Sequence, residues 1–511
     1  MTTELAAADA ARVVARFLDV AVGATGRATF YNTADEQAAL ERAAHRDLAA
    51  LDRRLYAALI GVPDMLDRTR QTGVLQLLAE GEPADGETDA VRRAVAALTV
   101  PRMLNLYGRL ATERVNNARA RKLILRTLLG SPALELWAVR YRRKLAAALR
   151  HAWGERTAGI VRSVLTRELS GAELQPKERR ILAASVDRWA GGRDRAVVHE
   201  CVAFVLGAPG PFTLPGVRAY TAARGDLDAG RTLPYETLEG LRGRFHPGEP
   251  PARVLELTKG RLTAGQRIAG QAQAERAGVE VDVDFTRYDA VRLYVYAYER
   301  GLTDEVARAL ADRARRTAAA LDLADRHVAL VLDGSASMAG SGTQALRPIA
   351  VTLALRDALR AAAGECTEIW CGGTVGDDGL VRPSGATPLA EALLAALRAA
   401  PDLVVVVGDG YENAPAGRFD ETLTAARLLG VRTPVVHMSP VLAAESGGVR
   451  VLSGEVPSLA VQRMDGLQLA ACRLLLEADP AAAARMLAKL AGVPSVPALE
   501  AEPVELEEVS T

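Results

Sequence analysis

The sequence predicts a mainly α chain with an α/β domain toward its C-terminal end: a helical-repeat solenoid closed by a doubly wound parallel sheet. Three observations predict it. Residues 1–320 carry apolar side chains at three- and four-residue spacing, the period of an amphipathic helix. From Arg326 the pattern changes to near-continuous Val/Leu runs alternating with helical segments, as expected of a parallel sheet buried on both faces. The first of those runs ends in Asp333-Gly334-Ser335-Ala336-Ser337, an acid and two hydroxyls at alternate positions.

Taken in order, helical faces fall at Leu51–Ile60, Val91–Leu98, Arg121–Leu129, Pro132–Trp153 and Lys177–Trp189. Turn residues separate them, at Gly61-Val62-Pro63, Gly130-Ser131-Pro132, Gly191-Gly192, Gly207–Pro211 and His246-Pro247-Gly248. Helix pairs with short breaks suggest an α-solenoid of the HEAT type over residues 1–320, with degenerate repeats. Strands are expected at His327–Leu332, Glu368–Trp370, Leu403–Gly408 and Thr433–His437. Helices are expected between them at Ala345–Ala363, Leu389–Ala399 and Thr422–Leu429, which makes 326–455 the α/β domain. Residues 456–490 read as a helical extension, and the Pro- and Glu-rich stretch 491–511 as a disordered acidic tail.

Composition bounds the function. With 511 residues the chain has room for more than one domain, and with only 4% aromatic residues Leu, Val and Ala must fill most of the core. Met1–Ala15 lacks the basic-then-apolar pattern of a secretory signal, and no apolar run approaches membrane-spanning length. The four cysteines form neither a zinc-type pair nor a disulfide framework. These features together predict a cytoplasmic protein with no membrane partner. The net charge of zero hides an asymmetry: residues 321–511 hold 14 basic and 24 acidic residues, while 101–195 hold 21 basic and 8 acidic, a local excess of 13 positive charges. Such a separation hints at nucleic acid; the plainer alternative is a set of solvated, Arg-rich helix faces.

The candidate site gathers at strand ends. Asp333, Ser335 and Ser337 follow the first strand, Thr387 precedes a helical run in Ser384-Gly385-Ala386-Thr387-Pro388, and Asp409 ends the run Leu403–Gly408. Two carboxylates and three hydroxyls make a hard-oxygen site for a divalent cation, best Mg²⁺, which takes few protein oxygens and keeps several waters. Ligands of parallel α/β sheets bind at the strands' C-terminal ends, where these residues fall. The competing explanation is that the serines and Asp409 simply cap helices. No phosphate-binding Gly-rich loop with Lys, no Gly-x-Ser-x-Gly elbow and no His-Glu-x-x-His is present, and no general base is paired with the site. The chain therefore reads as a non-enzyme, with a metal-dependent phosphoesterase as the weakest reading.

The ordered set Asp-x-Ser-x-Ser, Thr and Asp resembles the metal-ion-dependent adhesion site of von Willebrand factor A domains. Arg16-Phe17-Leu18 followed by Gly26 and Thr29-Phe30-Tyr31 resembles the opening of the TROVE module, and Leu136-Trp137-Ala138-Val139-Arg140-Tyr141-Arg142-Arg143-Lys144 resembles one of its basic helices. A helical array followed by a metal-site A domain is the layout of the Ro autoantigen family. The resemblance implies a monomeric ring, closed by the A domain, that binds small non-coding or misfolded RNA. Its roles would be RNA quality control or tethering to an RNA-processing enzyme. On this chain it places RNA contacts at Arg140 and Lys144; Arg143, His151, Arg121 and Lys122 are the neighbouring basic candidates. Arg140 and Lys144 are four apart and are expected to share one helix face. That helix is expected to run on through Leu145–His151, where the family has an Asn-Gly-Trp-Ser turn. The alternative function is a metal-dependent scaffold that grips an acidic protein partner and binds no RNA.

Overall fold

The computed structural model describes residues 2–23, 33–62, 65–276, 278–321, 323–342, 345–440, 451–461, 463–464, 466–478 and 480–499. It is mostly helical with one five-stranded parallel sheet. The chain divides into two compact units: residues 1–74, 82–97 and 285–511 form one, and 75–81 with 98–284 form the other.

The first unit holds the sheet. Its strands are β1 (His327–Asp333), β2 (Glu365–Cys371), β5 (Leu403–Val407), β6 (Val435–Ser439) and β7 (Ser458–Ala460). A two-stranded ribbon, β3 (Thr374–Val375) with β4 (Val381–Arg382), lies between β2 and β5 in sequence. The sheet order is β2-β1-β5-β6-β7, all parallel. Taken by chain order of the sheet strands alone, the first strand sits between the second and the third. That is the doubly wound arrangement in which winding reverses beside the first strand.

Burial explains the sheet. Val328 through Leu332 are all 0% exposed, so β1 is covered on both faces and reads as an unbroken apolar run. Ala329 and Val331 join Val404, Val406, Leu393, Ala396, Phe419 and Leu423 in one core layer, under helices Leu389–Arg398 and Arg418–Leu428. Helix Arg347–Ala362 packs against β1 from its own side of the sheet. Each buried Val or Leu contributes roughly 1.5–3 kcal/mol of transfer free energy. Helix Ala290–Arg300 lies on Arg347–Ala362, where the Tyr294 hydroxyl donates to Asp357, and the Tyr298 hydroxyl donates to the Val381 carbonyl at 2.6 Å. In the same unit helix Thr2–Gly23 packs against Leu467–Ala478, tied by Arg473 Nε to Asp19 Oδ1 at 2.8 Å.

The C-terminal region departs from the expected pattern at two places. The segment 456–490 is not helical throughout: Ser458–Ala460 forms the edge strand β7, paired His437 to Ser458, and helix begins only at Leu467. The stretch from 491 is not all tail: helix Pro480–Ala491 ends there, and Val496 and Leu499 are buried beyond it around a 3₁₀ turn at Pro497–Leu499. The segment 491–499 is itself apolar apart from Ser495, and the acidic residues begin only at Glu500. Residues 500–511, with all of the stretch's acidic residues, lie outside the described residues, as do Gly26 and Thr29–Tyr31 of the N-terminal motif.

The second unit is a run of short helices. Pro132–Trp153, expected as one helix, is two: Leu134–Arg140 and Arg142–Trp153, broken at Tyr141 (φ −122°, ψ 26°). No Gly or Pro marks the break. Tertiary contacts lie beside it: Arg142 Nε donates to the Phe204 carbonyl at 2.9 Å and its guanidinium lies 4.4 Å from the Phe204 ring. Unit-internal ion pairs are frequent. Arg167 meets Glu178 at 2.8 Å, and buried His199 sits 2.6 Å from both Glu168 and Asp187. Among the described residues no helix is long and apolar enough to cross a membrane.

Candidate metal centre

The five site residues come from three loops at the C-terminal edge of β1 and β5. Leu332 pairs with Val407, so Asp333 and Gly408 stand side by side and Asp409 follows one residue on. This is the switch point of the sheet, where neighbouring strands send their connections to opposite faces and leave a crevice.

Glycines let the loops close over it. A Cβ at Gly408 would lie 2.8 Å from the Asp333 Cβ and 3.0 Å from its Oδ2. Gly372, at φ +67°, would place a Cβ 2.6 Å from the Ser384 carbonyl oxygen, a second position only glycine fills without displacement. Backbone hydrogen bonds then tie the loops: Gly334 N–H to the Cys371 carbonyl at 2.8 Å, Ser384 N–H to the Gly334 carbonyl at 2.9 Å, and Ala336 N–H to the Gly385 carbonyl at 3.2 Å. These bonds bring the Thr387 segment against the Asp333–Ser337 turn.

The side chains are held but not used up. Asp333 Oδ1 accepts the Ser335 N–H at 2.8 Å, and the Ser335 and Ser337 hydroxyls are 3.0 Å apart. Asp409 Oδ1 accepts the Tyr411 N–H at 2.9 Å. Asp333, Ser335 and Thr387 are each 1% exposed and Asp409 5%, while Ser337 opens to solvent. Two buried oxygens have no hydrogen-bond partner: Asp333 Oδ2 and Thr387 Oγ1. Buried polar atoms are seldom left so, because each costs roughly 1–3 kcal/mol. Burial pushes the Asp333 carboxyl up to about 6; hydrogen bonds from Ser335 oppose this, and the Asp409 charge adds to it. The Asp409 N–H also favours the ionised form, without closing a bond to Oδ2.

This donor set fits a hard divalent cation. Asp333, Ser335, Ser337, Thr387 and Asp409 supply oxygens only, which suits Mg²⁺ and not a soft metal. Among the described residues no group of three or more His, Cys, Asp and Glu is placed to hold a metal, so the hydroxyls are essential to the fit.

Residues that sequence reasoning passed over support the loops. Asn413 Oδ1 accepts the Thr387 N–H at 2.8 Å. Glu412 bridges two helix starts, accepting from Ala390 N–H at 3.2 Å and Phe419 N–H at 2.9 Å; a carboxylate there also suits both helix dipoles. His437, fully buried, holds the Gly408 carbonyl with Nε2 at 3.0 Å and faces the Ser458 hydroxyl with Nδ1 at 3.1 Å. Burial drives it down to about 4, so it is neutral there. The signal for Glu412 and Asn413 was available, two polar side chains just after the strand-end Asp409.

The basic candidates are arranged otherwise. Arg140 and Lys144 do not share a helix: Arg140 ends one and Lys144 lies in the next, because the chain breaks at Tyr141. Arg140 Nη2 pairs with Glu236 at 2.8 Å, and Lys144 Nζ donates to Asn105 Oδ1 at 2.8 Å. His151 Nε2 lies 3.0 Å from the Val115 carbonyl. Arg143, Arg121 and Lys122 are exposed, with Arg121 Nε 3.5 Å from the Asn117 carbonyl.

No protein-family model matches the chain, and no curated protein matches it in sequence.

Proposed function

We propose that this chain is a cation-dependent binding protein whose α/β domain, of the von Willebrand A type, captures an acidic group of a partner. The observation that carries this is the pair of buried oxygens without partners, Asp333 Oδ2 and Thr387 Oγ1, at the sheet's switch point. Asp333, Ser335, Ser337, Thr387 and Asp409 would hold the ion, with Gly408 and Asn413 keeping the first and fourth in place. A bound Mg²⁺ supplies an under-neutralised positive centre with coordination positions left for a partner's carboxylate. Solvent-open Ser337 marks the side from which a partner reaches it. The experiment is calorimetric titration of chelator-treated protein with Mg²⁺. Saturable binding in the native chain and none in Asp333→Ala supports the reading; equal binding in both removes it.

A second reading, Ro-like RNA binding, is favoured by the excess of 13 positive charges over residues 101–195. The exposed side chains Arg143, Arg121 and Lys122 are its best carriers, and small structured RNA its ligand. Phosphate contacts release counterions, so affinity would fall steeply with salt. Sequencing the RNA retained by the tagged protein at moderate and high salt tests it; an enriched small RNA supports it, and bulk RNA lost together at moderate salt removes it. The two readings are compatible, since they use different units of the chain.

A further inference from the structure

A second polar cavity lies in the same unit as the metal centre and shares none of its residues. It is a hollow of about 230 Å³ between Asp289 and Ala290 at the start of helix Ala290–Arg300, the end of helix Asp304–Ala318, and Gln468 near the start of Leu467–Ala478. Drug-sized ligands take pockets of roughly 300–1,000 Å³, so this one suits something smaller. Its polar lining consists largely of donors: the guanidiniums of Arg313 and Arg316, the Thr317 hydroxyl and the Gln468 amide.

Arg313 is the fixed cation of the cavity. Its Nη2 donates to the Thr286 carbonyl at 2.5 Å, which fixes the guanidinium. Its Nε is buried and has no hydrogen-bond partner. A buried cationic N–H in that state calls for an acceptor, and the strongest match to a fixed guanidinium fork is an oxyanion. Gln468 is also fixed, with Nε2 donating to the Ala320 carbonyl at 3.2 Å.

Among the described residues, the carboxylates nearby are already engaged. Asp289 Oδ1 accepts the Arg292 N–H at 2.9 Å as a helix cap. Around it the positive charge is crowded: burial lowers the Arg347 pKa, Asp289 partly offsets that, and Arg463 and Arg292 lower it further. Asp312 pairs with Arg316 at 2.7 Å and lies 3.7 Å from Arg315. Those two arginines are 63% and 69% exposed, so the pairs are surface pairs that a doubly charged ligand can outcompete.

We propose that this cavity is a binding site for a small oxyanion, a phosphate ester or pyrophosphate, held by Arg313 and Arg316 with Thr317 as hydroxyl donor. The test is titration of the full chain with inorganic pyrophosphate in chelator, which removes any contribution from the cation site. Saturable binding is expected, weakened about tenfold or more in Arg313→Gln and less in Thr317→Ala, with Arg398→Gln unchanged. Each variant is checked for a native circular dichroism spectrum; Thr317→Ala decides if Arg313→Gln fails to fold. Asp333→Ala should bind pyrophosphate normally, so failure here and failure of the cation reading are told apart. Competition by a 5′-phosphorylated but not a 5′-hydroxyl oligonucleotide identifies the phosphate as a nucleic-acid end, and competition by neither excludes that source and leaves a small free phosphate compound. No saturable binding by the native chain, or equal affinity in native and both site variants, overturns the proposal.

Discussion

The edge of the sheet and the helix break at Tyr141 both concentrate polar side chains, yet those side chains are in opposite states. At the sheet edge Asp333 Oδ2 and Thr387 Oγ1 are buried without a partner. At the break Arg140 and Lys144 are already bound, to Glu236 and Asn105. Buried polar groups left unmatched together at a strand-end crevice are open to a ligand; one with an internal partner is largely accounted for by the fold. The contrast separates ligand site from scaffold better than residue type does, since a carboxylate and a guanidinium are equally polar.

The largest effect that can break this comparison is at Asp333. Asp333→Ala should weaken Mg²⁺ binding by more than about 100-fold, beyond the 10–100-fold typical of supporting residues. Calorimetry reads it directly; near-native affinity would mean the oxygens are not the ligands.

A stability measurement follows from the same group. The folded chain's Asp333 carboxyl titrates at about 6 against 3.8 for the free side chain. Between roughly pH 4 and 6 the folded state therefore holds a proton that the unfolded state has released. Cation-free stability should fall as pH rises through that window and stay lowered above it, by up to about 3 kcal/mol. Asp333→Asn should flatten that slope in thermal melts recorded from pH 4 to 7. A slope unchanged in the variant would assign it to other groups. Saturating Mg²⁺ should reverse the trend, because a bound cation favours the ionised carboxylate.

Smaller effects sharpen the geometry. Gly408→Ala inserts a methyl 2.8 Å from the Asp333 Cβ, which must then shift. About 1–3 kcal/mol of stability should be lost, together with part of the Mg²⁺ affinity. Asn413→Ala removes the acceptor for the buried Thr387 N–H and should cost about 1–3 kcal/mol of stability together with about tenfold in affinity. Loss of stability without loss of affinity in either variant would make these loops structural only.

How much of this was legible in the sequence follows the range of the interactions. The grouping of the candidate site residues was legible because each stands at a strand end or helix start, and strand ends announce themselves by where Val/Leu runs stop. The parallel sheet was legible for the same reason, except β7: Ser458–Ala460 is three residues long and is a strand only because His437 pairs beside it. The break at Tyr141 was not legible. The Phe204 that holds Arg142 just past the break is 62 residues away in sequence, and the Glu236 that occupies Arg140 is 96 away. Local periodicity cannot report a partner that tertiary folding delivers. Glu412 and Asn413 fall between these cases: their position after Asp409 was visible, but their acceptors' targets were not.

The smallest predicted effect bears on the basic region itself. If internal pairing withdraws a side chain from ligand duty, Arg140→Ala and Arg143→Ala should differ although they are three residues apart. Arg140, 22% exposed and paired with a half-exposed Glu236, contributes at most about 1 kcal/mol to stability. Its removal should leave RNA affinity nearly unchanged. Exposed Arg143 carries no such pair among the described contacts, so its removal should reduce the slope of log affinity against log salt by about one unit if it meets a phosphate. An equally reduced slope in the two variants would mean that the Glu236 pair opens on binding, and that an ion pair at this exposure is too weak to distinguish scaffold from site. That outcome would confine the rule drawn from Asp333 to groups buried as deeply as it is.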